Sequence, residues 1–242
     1  MGKDVAVVTG ASGGIGRAIA KMIHEKSEGE LRICLHCRGN RGSAEELQKE
    51  IPGSFVLQAD LATPEGRRKL LEGALEKGHP YVLVNNAGVD KPHEPALMIQ
   101  ESSFDEILGA NLKSAAFLMR DFGKEMAGAG AGVIVNMSSV LANKALIGSA
   151  LYRASKAALE ALTRQFAAEL GPKGVRVNAV APGFIETPMT QGIPPETRDK
   201  IRSETALGAF GAPEAVAQAV CHLIENDYIN GAVLPVNGGM SL

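Results

Sequence analysis

The chain has no uninterrupted apolar stretch of the length that a bilayer-spanning helix requires, which is about 20 residues. Its first residues lead directly into a strand-like run, and the basic and apolar pattern of a secretory signal is missing there. We therefore expect a cytoplasmic protein that does not bind a membrane.

Charge of one sign is not in excess. The 242 residues include 25 Lys and Arg against 27 Asp and Glu, and the formal net charge is -2. Because acids and bases are interspersed, the sequence excludes the basic patch expected of a nucleic-acid-binding protein. No linker rich in Pro, Gly or Ser divides the chain either. We predict one domain over residues 1–242, with a small molecule as its ligand.

Cysteines are few, and no spacing typical of metal ligands occurs. Cys34 and Cys37 form a C-x-x-C, but both lie in a strand-like run. Residues three apart on a strand point to opposite faces, so these two cannot share a metal or a disulfide. We expect them, with Cys221, to be reduced structural thiols. The five histidines are scattered, and we predict no metal site.

Short apolar runs alternate with longer helical patterns. Such continuous apolar runs are typical of strands that are buried on both faces of a parallel sheet, and the helical patterns between them provide crossovers. The sequence predicts an α/β fold of the Rossmann type, a single-domain, doubly wound, parallel seven-stranded sheet flanked by helices. The predicted strands are residues 5–9, 31–37, 54–59, 81–85, 133–137, 175–181 and 232–236, and the predicted helices are residues 14–26, 44–50, 64–76, 101–126, 152–170 and 213–224.

One long connection interrupts this alternation. Residues 183–212, called the lid below, are rich in proline and glycine turns, and a connection of this length in a compact domain is usually functional. We predict a substrate lid that contains one or two short helices. Its apolar underside would consist of Phe184, Ile185, Met189, Ile193, Leu207 and Phe210.

A glycine-rich turn follows the first predicted strand and leads into the first predicted helix. Gly10, Gly14 and Gly16 permit a sharp turn and a close approach of the backbone to a pyrophosphate. The unpaired N–H groups and the positive dipole end of that helix would bind the anion. In this strand, turn and helix context, a dinucleotide site is favoured over a purely structural glycine loop.

Three polar residues indicate acid–base chemistry. Tyr152 and Lys156 are four residues apart in a predicted helix, so their side chains lie on one face about one turn apart, where the cation favours the phenolate. Ser139 follows a predicted strand at its carboxyl end, where open α/β sheets hold their ligands. We reject a Schiff-base lysine and an acyl-transfer serine, because these motifs place no histidine to activate the serine and the dinucleotide already supplies the chemistry.

These motifs and their order resemble the classical short-chain dehydrogenase/reductase family over essentially the whole chain. The matching landmarks are T-G-x-x-x-G-x-G at residues 9–16, N-N-A-G at 85–88, Asn111, Ser139, Tyr152 with Lys156, and Pro-Gly at 182–183. The resemblance implies hydride transfer at a carbonyl or alcohol carbon, with the catalytic residues Asn111, Ser139, Tyr152 and Lys156.

Each of these residues has a role that the resemblance implies. Tyr152 would give its proton to the substrate oxygen, and Ser139 would orient that oxygen. Lys156 would stabilise the phenolate and hold the nicotinamide ribose, while Asn111 would hold a water of a proton relay. The resemblance also implies a cofactor site formed by Gly10, Ser12, Gly13, Gly14, Ile15, Gly16, Arg38, Asp60, Leu61, Asn86, Ala87, Gly88, Tyr152, Lys156, Pro182, Gly183, Ile185 and Thr187.

The end of the second predicted strand favours NADPH over NADH. An NAD site usually has an acid there for the ribose 2′-hydroxyl, but the sequence has no carboxylate at residues 36–41. Arg38 could pair with a 2′-phosphate instead, or it could be an ordinary surface charge. The resemblance implies that Asp60 bonds the adenine amino group and that Leu61 lines the ring; a helix cap is the competing interpretation of Asp60.

Within the family, residues 183–190, 210–214 and 236–240 are most similar to 3-oxoacyl-(acyl-carrier-protein) reductases. The resemblance implies reduction of a 3-oxoacyl thioester in fatty-acid biosynthesis. Members that dock the acidic carrier usually have basic residues before the fifth strand, and residues 126–132 have no charge. An acyl-CoA, polyketide, steroid, sugar or small ketone substrate thus stays open, as does a dinucleotide-binding protein without turnover. The resemblance also implies a homotetramer built on the helices at 101–126 and 152–170.

Overall fold

Seven parallel strands form the sheet at the centre of the computed structural model, which describes residues 4–90 and 92–241. Residues 1–3, 91 and 242 of the predicted domain lie outside the described residues. The predicted doubly wound sheet is confirmed, in the order β3-β2-β1-β4-β5-β6-β7. The strands are β1 (Val5–Val8), β2 (Arg32–Cys37), β3 (Phe55–Gln58), β4 (Pro80–Asn85), β5 (Gly132–Met137), β6 (Val175–Pro182) and β7 (Val233–Val236).

The order of the strands reverses direction at β1. This strand pairs with β2 on one side and with β4 on the other, because the chain crosses back over the sheet after β3. Loops that follow the carboxyl ends of β1 and β4 therefore diverge to opposite sides and leave a crevice between them. A crevice at such a switch point is where open α/β sheets bind ligands.

Helices pack on both faces of the sheet. One apolar cluster surrounds α1 and α9, with Ile19 and Val216 as members, and a second surrounds α3, α5 and α6, with Leu70 and Phe122 as members. The helices are α1 (Gly14–Lys26), α2 (Arg41–Glu50), α3 (Pro64–Leu75), α4 (Glu101–Leu108), α5 (Ser114–Ala129), α6 (Ala150–Leu170), α7 (Pro188–Gln191), α8 (Pro195–Ser203) and α9 (Pro213–Glu225).

The predicted single helix at 101–126 is wrong in one respect. The structure has α4, then a π-helical turn at Gly109–Lys113, and then α5. One extra residue in a helical turn leaves the apolar periodicity on both sides nearly unchanged, so the pattern did not reveal it. The wide turn carries Asn111, whose side chain it directs inward.

All three cysteines are buried and unbridged, as expected. Burial, and to a smaller extent the charge of the nearby Glu225, raise the pKa of the Cys221 thiol to about 12. In the part of the chain that the structure describes, no helix is long and apolar enough to cross a membrane. No group of three or more His, Cys, Asp or Glu side chains that could hold a metal ion occurs among the same residues.

Candidate active site

The glycine-rich turn connects β1 to α1 by a very close approach of two backbone segments. Gly10 has a φ of +66°, a conformation that favours glycine. Gly16 faces the Gly10 carbonyl so closely that a Cβ atom there would lie 2.3 Å from the oxygen. Each glycine is therefore required by the turn itself.

The amino terminus of α1 is suited to an anion. Gly13 precedes the helix and supplies no side-chain cap, and the first turn of α1 contains no acidic residue. The first N–H groups of a helix have no partner within the helix, and its dipole is positive at that end. A pyrophosphate fits these donors, and Gly13 is exposed beside them.

Thr9 joins the glycine turn to the segment after β4. Its hydroxyl accepts hydrogen bonds from the backbone N–H groups of Asn86 and Ala87, both over 2.9 Å, and donates to the Val84 carbonyl over 3.1 Å. The Asn86 amide donates to the Thr9 carbonyl over 2.9 Å. The predicted contact residues Asn86 and Ala87 thus lie beside the glycine turn.

His36 is a contributor to the nucleotide side that the sequence analysis did not find. Its Nδ1 accepts from the Gly10 N–H over 3.2 Å, so Nε2 carries the proton and donates to the Ala59 carbonyl over 3.0 Å. Burial lowers the pKa of the imidazole, against smaller raising effects of the Ala59 carbonyl and Asp60. The neutral ring therefore holds the glycine turn against β3.

The predicted adenosine residues lie at the ends of β2 and β3. Arg38 is exposed, and its side chain forms no ion pair among residues 4–90 and 92–241. Asp60 Oδ1 accepts from the Ala62 N–H, whereas Thr63 caps α3 by accepting from the Gly66 N–H over 3.0 Å. The interpretation of Asp60 as the helix cap is wrong. Leu61 is only 5% exposed and packs in the core.

Ser139, Tyr152 and Lys156 come together at the carboxyl end of β5. The Ser139 hydroxyl lies close enough to the Tyr152 phenol to lower its pKa. The Lys156 ammonium lies 5.5 Å from the centroid of the Tyr152 ring and donates to the Met137 carbonyl over 2.8 Å. α6 carries both Tyr152 and Lys156 on one face, as predicted from their spacing.

The pKa values of Tyr152 and Lys156 both depart from their ordinary values. Burial, and then the charge of Asp90, raise the pKa of Tyr152 to about 12, although the hydrogen bond from Ser139 lowers it. The predicted lowering of the phenol pKa, which depends on Lys156 together with the positive ring of an oxidised cofactor, stays a prediction. Burial also lowers the pKa of Lys156 to about 8, with Asp90 acting in the opposite direction.

Asn111 lies fully inside the site, on the π-helical turn. Its Oδ1 accepts from the Val89 N–H over 2.7 Å, and its Nδ2 donates to the Val89 carbonyl over 2.8 Å. A Cβ atom on Gly88 would lie 3.0 Å from Asn111 Oδ1 and 3.6 Å from Lys156 Nζ. The side chains of Asn111 and Lys156 therefore meet at the bare Cα of Gly88.

The lid covers the glycine turn. A Cβ atom on Gly14 would lie 2.8 Å from the Thr187 methyl group, so Thr187 sits directly over the start of α1. Gly183 is required for a different reason: a Cβ atom there would lie 2.9 Å from the Asn237 Cα. Pro182 ends β6 beside it, and Ile185 is buried in the core.

Most of the predicted apolar underside of the lid is present. Phe184, Ile193 and Phe210 pack with Tyr152 against a small apolar cluster that contains Leu141. Met189 and Leu207 are 65% and 79% exposed and do not belong to this underside. The lid was predicted to contain one or two short helices, and it contains two, α7 and α8.

Known proteins resemble this chain over nearly its whole length. Residues 10–241 match the family model described as enoyl-(acyl carrier protein) reductase. Curated relatives named 3-oxoacyl-(acyl-carrier-protein) reductase FabG are 36% identical in Pseudomonas aeruginosa, covering 98% of this chain and 96% of that one, and 33% identical in Staphylococcus epidermidis, covering 97% and 98%. The chain belongs to the short-chain dehydrogenase/reductase family.

A solved member of the family has the same architecture. A structure titled short chain dehydrogenase/reductase family protein is 32% identical, with a TM-score of 0.87, and covers 100% of this chain and 99% of that one. The chain is therefore an oxidoreductase that acts on CH–OH or C=O groups, and its cofactor is a nicotinamide dinucleotide. The uncapped start of α1 and the glycine turn fit the pyrophosphate of such a group.

In this short-chain dehydrogenase/reductase, charged residues fasten the lid. Arg198 of α8 donates to the Thr190 carbonyl over 3.1 Å, pairs with Glu186, and lies 4.2 Å above the Phe210 ring. Lys144, shortly after Ser139, pairs with Glu204 at the end of α8 over 2.9 Å. The lid is thus tied both to itself and to the loop that follows Ser139.

Proposed function

We propose that this protein reduces a 3-oxoacyl thioester to the 3-hydroxyacyl form with NADPH, in biosynthesis of the fatty-acid type. The observation that carries the proposal is the Ser139 hydroxyl beside the Tyr152 phenol and Lys156, next to the crevice between β1 and β4. Two hydroxyls that meet at one point can both reach a single carbonyl oxygen. The names of the curated relatives supply the substrate class.

The chain's own residues orient the carbonyl and deliver the proton. When bound, the reduced nicotinamide supplies a hydride to the carbonyl carbon. Ser139 donates a hydrogen bond to the oxygen, and Tyr152 transfers its phenolic proton to it as negative charge develops there. A phenol whose pKa is about 12 keeps its proton at neutral pH, and an alkoxide is the stronger base, so the transfer is downhill. Lys156 stabilises the phenolate that is left.

NADPH is the proposed cofactor because of the electrostatics at the end of β2. Arg38 is exposed there, and its guanidinium can bind a 2′-phosphate through two parallel hydrogen bonds. Gly13 provides no second cation within the glycine turn. We expect Arg38→Ala to raise KM for NADPH about 10-fold and to leave KM for NADH nearly unchanged, since only the phosphate contact is lost.

The proposed acyl carrier is the acidic carrier protein, although its docking surface differs from the usual one. Residues 126–132 have no charge, and the turn at Gly130 touches the turn at Gly174, where a Cβ atom would lie 2.0 Å from the Gly130 carbonyl. Lys124, Arg153 and Lys173 remain as basic candidates for the partner. With steering by such residues, kcat/KM for a carrier-linked substrate falls more steeply with added salt than that for the CoA thioester, which carries fewer negative charges.

The test follows oxidation of the reduced nicotinamide by its loss of absorbance. The two substrates are acetoacetyl-carrier protein and acetoacetyl-CoA. Each is run with NADPH and with NADH. Crotonyl-CoA is the matched control, because it carries a reducible C=C bond in place of the 3-oxo group, the other acyl reduction that the description of the family model suggests. Turnover of crotonyl-CoA alone would contradict the proposal; nucleotide binding without turnover of any ketone would favour a non-catalytic protein.

We also propose a homotetramer that resides in the cytoplasm. The outward face of α6 includes the exposed small side chains of Ala157, Ala161 and Ala168, and Phe104 of α4 is 51% exposed. Small residues permit close packing of helices from two copies. Sedimentation equilibrium tests the assembly, and a monomeric mass would contradict it.

A further inference from the structure

A buried hydrogen bond joins Ser138 of the β5 end to Glu160 of α6. Ser138 Oγ donates to Glu160 Oε1 over 2.7 Å, and the two residues are 2% and 5% exposed. Arg164 is a weaker partner, since its Nη2 lies 3.7 Å from Glu160 Oε2 and its side chain is 58% exposed. The bond from Ser138 is therefore the principal contact of a carboxylate inside the protein.

A buried carboxylate at this position is unfavourable for stability alone. Removing a charge from water costs free energy that one hydroxyl and one loose ion pair do not offset, and an apolar side chain would pack without that cost. The polar choice at residue 160 thus calls for a reason other than packing.

The bond belongs to a regular series between β5 and α6. Three consecutive residues at the end of β5 each hydrogen-bond to one residue of α6, and the next residue, Ser139, lies beside Tyr152. The α6 partners recur every three or four residues on the face toward the sheet. The pairs are Asn136 with Thr163, Met137 with Lys156, Ser138 with Glu160, and Ser139 with Tyr152.

We propose that Glu160 is a positioning residue for the reduction. By holding Ser138, it fixes the backbone of the adjacent Ser139 relative to α6, and so sets the separation of the Ser139 and Tyr152 hydroxyls. Proton delivery depends on that separation to within a fraction of an ångström. The inference rests on the proposed carbonyl reduction, but it concerns the two hydroxyls and not the acyl group.

The kinetic test compares two substitutions at one position. Glu160→Leu removes the acceptor, whereas Glu160→Gln keeps an acceptor oxygen for Ser138. With whichever carbonyl the wild type reduces, we expect kcat of Glu160→Leu to fall about 10- to 100-fold with the Kd of NADPH within about 2-fold. Glu160→Gln should recover most of kcat. Ser138→Ala should lower kcat as much as Glu160→Leu does. The variant that combines Ser138→Ala with Glu160→Leu should lower kcat no further.

Asn230→Ala is the matched control. Asn230 donates to the Ala167 carbonyl over 3.0 Å and accepts from the Val177 N–H over 2.9 Å, so it anchors α6 at the end remote from Tyr152. We expect this variant to melt at a lower temperature with kcat unchanged. An equal loss of kcat in Asn230→Ala and Glu160→Leu would overturn the proposal, and so would full kcat in a folded Glu160→Leu.

A second readout needs no substrate. In protein labelled at tyrosine Cζ with carbon-13, the Tyr152 resonance is assigned from its disappearance in Tyr152→Phe. We expect it to shift in Glu160→Leu and Ser138→Ala, to return in Glu160→Gln, and to stay fixed in Asn230→Ala. An unmoved Tyr152 resonance in both Glu160→Leu and Ser138→Ala would refute the positioning role. Absence of 3-oxoacyl turnover by the wild type would instead refute only the proposed function.

Discussion

The lowered pKa of Lys156 makes the stability of the protein depend on pH. Burial lowers its pKa to about 8 from an ordinary value of 10.5, so the folded state disfavours the charged amine. Below pH 8 the full cost is present; between pH 8 and 10.5 the folded state has released a proton that the unfolded state still holds, and stability rises with pH.

The first prediction follows from that sign. The free energy of unfolding of the nucleotide-free wild type, relative to Lys156→Met, should rise by about 3 kcal/mol between pH 8 and 10.5. Urea denaturation of both proteins across this range measures it. A difference between them that does not vary with pH would show that the amine titrates normally.

The glycine-rich turn leaves no room for a side chain at Gly16. A Cβ atom at Gly16 would meet the Gly10 carbonyl at 2.3 Å, and backbone cannot move away easily. Gly16→Ala should therefore destabilise the fold by about 3 kcal/mol. Gly42→Ala on α2 is the control, because a Cβ there has open space and should stabilise by about 0.5 kcal/mol. Thermal unfolding compares the two; equal effects would contradict the close contact.

At the scale of elements, α8 depends on Arg198. This side chain bonds the Thr190 carbonyl and lies 4.2 Å above the Phe210 ring, whereas Arg202 is 5.7 Å from the same ring. Arg198→Ala should raise hydrogen exchange of residues 187–203 several-fold and raise substrate KM about 5-fold, since its contacts are worth roughly 1 kcal/mol. Arg202→Ala should change both less. The reverse ranking would mean that the lid is fastened elsewhere.

The sequence predicted elements best where the chain itself carries the signal. α1 begins at Gly14 and ends at Lys26, as predicted, because the glycine turn starts it and the loss of periodicity ends it. The π-helical turn was missed because one extra residue hardly changes the apolar pattern, and because the bonds between Asn111 and Val89 join residues 22 apart. The His36–Gly10 hydrogen bond and the contact of Thr187 with Gly14 also join residues far apart in the sequence, so local patterns could not predict them.

The direction of the Tyr152 pKa could not be read from spacing either. Lysine four residues on indicates a phenolate, but the spacing does not show how much water the phenol loses or that Asp90 lies near it. Both effects oppose the cation. Glu160 was available to sequence reasoning: it lies four residues after Lys156, on the same stripe of α6.

At the scale of the whole molecule, the proposed tetramer predicts that a charge on the outer face of α6 disrupts the assembly. Ala161→Arg should place a charge between copies and reduce the sedimenting mass, while circular dichroism of the separated chain stays unchanged. Glu46→Arg, on the exposed face of α2, is the control and should leave the mass as it is. Identical masses for both variants would show that α6 is not in the interface.

The lid has its two ends side by side. Ile185 and Gly211 form a bridge, with the Glu186 N–H donating to the Gly211 carbonyl and the Gly211 N–H donating to the Phe184 carbonyl, both over 2.9 Å. What lies between is a closed loop whose length can change at little entropic cost and without moving β6 or α9. Insertions between these ends can therefore alter the substrate preference while the ends themselves, and the strand and helix next to them, stay in place.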